Sequence, residues 1–70
     1  MNKTIEQFTR TKIKEGLHKL PTSHHVTFQR MYAHLHPEYT MEEVVDNMPA
    51  ERLDWALTQV ENSLRKLNIT

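Results

Sequence analysis

The 70-residue chain has no cysteine, a single glycine, three prolines and one tryptophan. Without cysteine it can form no disulfide and no thiolate metal site. One glycine is too few for a phosphate-cradling loop, and no two-residue hairpin signal is present, which leaves little room for a sheet. An excess of one charge sign is missing too: nine basic residues balance nine acidic ones, the formal net charge is zero and the pI is near 7.0. That balance argues against nucleic acid as the main partner, because phosphate binding needs a basic surplus on one surface. No run approaches the roughly 20 apolar residues of a membrane span. The opening stretch MNKTIEQFTR carries early charges and no apolar run, so a secretory signal is not expected. A small cytoplasmic domain is the expectation. At this length about 60% of the unfolded surface is buried on folding, so stability is marginal and a staple or a partner chain is usual.

What is present has helical periodicity. The pattern predicts one all-α domain over residues 1–70, a small four-helix domain of long, short, short and long helices at about 4–20, 23–35, 41–48 and 49–67. In the first helix Ile5, Phe8, Ile13, Leu17 and Leu20 fall on one broad side. Gly16 lies near the middle of that side, where it serves either a close helix crossing or an early fraying point. Pro21 ends the helix, and Thr22 or Ser23 is the expected N-cap of the second. Phe28, Met31, Tyr32 and Leu35 then form an i, i+3, i+4, i+7 stripe, closed by His36-Pro37. Thr40 and Glu43 have the spacing of a capping box. Met41, Val44, Val45 and Met48 give the third helix its stripe. Pro49 suits the first position of the fourth helix, whose apolar face is Leu53, Ala56, Leu57, Val60, Leu64 and Leu67.

Charge is unevenly spread along the chain. Residues 1–20 hold five basic residues against two acids, a balance of +3, and residues 38–54 hold six acids against Arg52, a balance of −5. These signs either dock the first helix on its own domain or give a basic partner protein an acidic surface to meet. Acids early in a helix also suit its dipole.

Five histidines raise the question of a metal. His24/His25 and His34/His36 stand at opposite ends of the second helix, about 15 Å apart at 1.5 Å per residue, whereas zinc ligands converge within about 2.1 Å of one ion. His18 with His24 or His25 across the Pro21 turn is the one weaker alternative. No metal and no cofactor is expected. Ser23 beside His24 does not make a nucleophile and base face each other, and no third group orients them. An enzyme is not expected.

A helix-turn-helix around Asn47-Met48-Pro49 would open its recognition helix with Glu51 and Asp54, the wrong sign for phosphate. The DNA-binding alternative therefore rests on the first helix, on Lys3, Arg10, Lys12 and Lys14. Trp55 points about 160–200° from the fourth helix's apolar stripe at 100° per residue, among Glu51, Thr58, Gln59, Asn62 and Lys66. It is either an interface anchor of the type enriched at binding hot spots or a core residue covered by the short helices.

The runs Phe28-Gln29-Arg30-Met31-Tyr32, Val44-Val45-Asp46-Asn47-Met48-Pro49 and Leu53 to Glu61 resemble a group of very small bacteriophage and prophage proteins without an assigned function. The resemblance covers about residues 17–67. It implies a phage-type protein acting in the bacterial host cytoplasm by binding a host or phage protein, and it carries over no site residues. The expected function is non-enzymatic protein association, including self-association as a homodimer. The expected contact residues are Trp55, Glu51, Gln59, Glu42 and Asp46. The alternative is a small DNA-binding or transcription-modulating protein that uses the basic first helix.

Overall fold

In the computed structural model, which describes residues 3–68, the chain forms four α-helices and no strand among those residues. They are α1 (Lys3–Lys19), α2 (Thr22–Ala33), α3 (Met41–Asp46) and α4 (Ala50–Lys66). The radius of gyration is 11.5 Å, close to the roughly 11 Å of a globule this size. The long-short-short-long order is as expected from the periodicity.

One apolar cluster holds the elements together. Ile13, Leu17 and Leu20 from α1 and its end meet Phe28 and Ala33 of α2, Val44, Val45 and Met48 around α3, and Leu53, Ala56 and Val60 of α4. Gly16 is buried at the crossing of α1 and α4. A Cβ placed there would fall well inside contact distance of Val60 Cγ1 and 3.5 Å from Leu64 Cδ1. The missing side chain therefore sets how closely the two long helices approach, and the close-crossing reading holds.

The capping box of α3 forms as its spacing predicts. Glu43 N donates to Thr40 Oγ1 at 3.2 Å, and Thr40 N donates to Glu43 Oε1 at 2.9 Å. The start of α2 differs from expectation. Pro21, with ψ of 160°, occupies the N-cap position without a side-chain cap, so Thr22 and Ser23 are the first helical residues. Pro49 likewise stands at the N-cap of α4 with ψ of 143°, one position before the helix.

The apolar stripes reach further along the sequence than the core does. Ile5 is 57% and Phe8 64% exposed, although both were expected on the buried side of α1. At 100° per residue Phe8 lies about 140° around the helix from Ile13, so the broad stripe wraps out of the contact. Met31 and Leu35 are also exposed, while Phe28 is buried and Tyr32 half-buried. α2 ends at Ala33, two residues before Leu35. Gln29 Nε2 donates to the carbonyls of His36, Pro37 and Tyr39 and holds the chain in a turn there. Leu67 is the C-cap of α4 and is 44% exposed, beyond the reach of the core.

Candidate functional site

The expected contact residues separate into two places. Glu42 and Asp46 belong to α3 and face α1. Asp46 Oδ1 lies 2.7 Å from Lys14 Nζ, and Glu42 Oε1 lies 3.0 Å from His18 Nε2. Arg10 reaches the same side: its Nη1 donates to the carbonyls of Val45 and Met48, where α3 ends. The opposite charges of α1 and α3 thus dock one helix on the other. Arg10 and Lys14, two of the four cations on which the DNA-binding alternative rests, are engaged inside the molecule. Lys12 lies over the Phe8 ring at 5.6 Å.

Trp55, Glu51 and Gln59 come together on the other side, where α4 meets α2. Trp55 is 80% exposed, so the short helices do not cover it and the core alternative does not hold. It borders a groove of about 470 Å³ lined by Met31, Tyr32, Glu51, Arg52 and Trp55. Gln59 links the two helices beside the groove. Its Oε1 accepts from Tyr32 Oη at 3.0 Å, and its Nε2 donates to Met31 Sδ at 3.1 Å. Tyr32 also packs on Phe28, with ring centroids 4.7 Å apart, which ties the groove to the core. Burial pushes the Tyr32 phenol above its ordinary pKa, and the Arg52 charge draws it part of the way back. The phenol is therefore a neutral donor to Gln59 at neutral pH.

Met31, Tyr32 and Arg52 were not among the expected contact residues. Met31 and Tyr32 read as core from their place in the α2 stripe, and only the pairing of α2 with α4 turns Met31 outward beside Trp55. The i, i+4 relation of Glu51 and Trp55 was the available signal on α4 itself.

Among the described residues no group of three or more His, Asp or Glu side chains is placed to hold an ion. His25 Nε2 hydrogen-bonds the Leu17 carbonyl, across the Pro21 turn. His36 stacks on Tyr39 with centroids 4.5 Å apart and pairs with Glu38 at 3.2 Å. The Glu38 carboxyl is held below its ordinary pKa chiefly by its own backbone amide; desolvation opposes this, and the hydrogen bond and charge of His36 add smaller lowering effects. Ser23 and His24 line a separate depression of about 300 Å³ over Leu20, Phe28 and Val60. No helix among the described residues is long and apolar enough to cross a membrane. Compared with protein-family models, curated proteins and solved structures, the chain matches none.

Proposed function

We propose that this chain is a non-enzymatic protein-association module whose contact surface is the Trp55 side of α4 with the adjoining edge of α2. One observation carries the reading: the only tryptophan stands 80% exposed at the rim of a groove. Leaving that much aromatic surface in water costs a small domain free energy that burial elsewhere would have gained. Beside it Met31 offers a soft, adaptable contact, and Glu51 and Arg52 supply a polar rim of both signs. In this reading Glu42 and Asp46 contribute indirectly, by holding α3 on α1. The bacteriophage-type setting and a host or phage protein as partner rest on the sequence resemblance alone.

The test is capture from bacterial lysate with the whole chain as bait, alongside Trp55→Ala. Alanine suits an exposed helical position, so the variant keeps its fold, which circular dichroism checks. A protein retained by the wild-type chain and lost with Trp55→Ala supports the proposal. An identical set on both baits together with no Trp55-dependent self-association overturns it, as does salt-sensitive retention of duplex DNA with no Trp55-dependent protein.

A further inference from the structure

The outer face of α4 carries an ordered sequence of side chains. Glu51, Trp55, Thr58, Asn62 and Arg65 recur at three- and four-residue steps and so form one stripe, with Asp54 and Lys66 beside it. All seven side chains lie in the exposed class. The stripe runs from acid at Glu51 through neutral Trp55, Thr58 and Asn62 to base at Arg65, with Arg52 and Glu61 about 100° and about 80° round to either side. Such an order is complementary to itself when reversed. We infer that the partner of this face is a second copy of the same chain, the two α4 helices packing antiparallel about a two-fold axis near Thr58.

This inference rests on the association reading above and adds the identity of the partner. A two-fold at Thr58 sets Glu51 of each copy opposite Arg65 of the other, with Asp54 and Lys66 flanking the pair. It brings each Trp55 over Asn62 of the opposite helix, where the ring loses its water on a neutral surface. An isologous contact of this kind closes at two copies and leaves no unpaired end. A parallel arrangement would place acid on acid and base on base, which is unfavourable at both ends.

The size of the face fixes the strength. α4 is 17 residues long, or about 25 Å at 1.5 Å per residue, and a strip one helix wide buries well under the roughly 1,200 Å² of a standard stable interface. The dimer is accordingly weak and reversible. The same charge order also favours α4's own dipole, so the test has to separate helix stability from pairing.

Sedimentation velocity across a concentration series does so, with Glu51→Lys, Arg65→Glu and their equimolar mixture, each checked for helix content. Wild type is expected to pass from monomer to dimer as concentration rises. Each single reversal weakens dimerisation about tenfold, because it turns two attractive contacts repulsive. The mixture restores wild-type association. In the mixed dimer the introduced lysine of one variant faces the introduced glutamate of the other, and the remaining Arg65 faces the remaining Glu51. A helix-dipole effect alone predicts no recovery on mixing, and that result overturns the proposal. A wild-type chain that stays monomeric at every concentration overturns it as well, while a Trp55-dependent protein in the capture experiment would still uphold the association reading.

Discussion

Gly16 and Val60 give the sharpest residue-level constraint, because the space a side chain would need at position 16 is already occupied by a Val60 methyl group. Two effects of Gly16→Ala compete. Alanine gains about 1 kcal/mol of helix propensity over glycine, while overpacking a buried contact costs about 1–3 kcal/mol. Val60 is only 2% exposed and has little room to move, so the second effect wins. Gly16→Ala is expected to destabilise the chain by about 1 kcal/mol. In a Val60→Ala background the clash is gone, and the same substitution becomes neutral or stabilising. Urea unfolding of the four chains in this cycle measures the coupling. Equal effects in both backgrounds would mean that the helices do not meet at Gly16.

Among the elements, α3 is the one least able to stand alone. It is six residues long, far shorter than an isolated helix needs, and two kinds of contact hold it. The Thr40–Glu43 box satisfies its start, and the Arg10 guanidinium satisfies carbonyls at its end. Lys14–Asp46 adds an ion pair at the surface, worth less than about 1 kcal/mol once screened by solvent, and His18 meets Glu42 beside it. Arg10 matters more, because hydrogen bonds from a charged, part-buried donor contribute about 1.5–3 kcal/mol. Arg10→Ala is therefore expected to cost about 2 kcal/mol and Lys14→Ala well under half of that, measured by denaturant midpoints. Similar losses from the two would contradict the carbonyl-capping role.

How much of these elements was legible depended on whether the signal was local. The Thr40 box, the stop of α1 before Pro21 and the α4 stripe from Leu53 to Val60 are written within a few residues of themselves and appear as expected. Pro49, by contrast, stands one position before its helix, and Leu67 lies beyond the core. Phe8, Met31 and Leu35 are as apolar as their buried neighbours, and what separates them is which side of a helix meets a neighbour and, for Leu35, where α2 itself stops. Helix periodicity does not encode that. Arg10 was readable as a cation but not as a cap, because its carbonyl partners lie 35 and 38 positions away in the chain. At the candidate site the angle placed Trp55 away from the α4 stripe but left open whether the short helices cover it, and the groove beside it required the α2–α4 pairing through Tyr32, Gln59 and Met31.

At the scale of the whole molecule, net neutrality is an internal cancellation. Lys14 of α1 pairs with Asp46 of α3 and His18 meets Glu42 beside it, while the outer stripe of α4 runs from Glu51 to Arg65. The molecule has extents of 32 × 26 × 15 Å, so it is thin in one direction, and a single layer of buried side chains has to supply its stability. That leaves a small domain with an exposed tryptophan on its longest amphipathic helix and no cysteine to reinforce it. A second protein surface over α4 would bury Trp55 and add stability by mass action.

The central claim, that the outer side of α4 is a surface for another protein chain, is tested most directly by the fluorescence of Trp55, the sole tryptophan. Emission maximum and acrylamide quenching are followed over a dilution series. The expected result is red-shifted, readily quenched emission in dilute solution that moves to the blue and becomes protected as concentration rises. Blue-shifted, protected emission that persists unchanged to the lowest concentration would place Trp55 in the core and contradict the account.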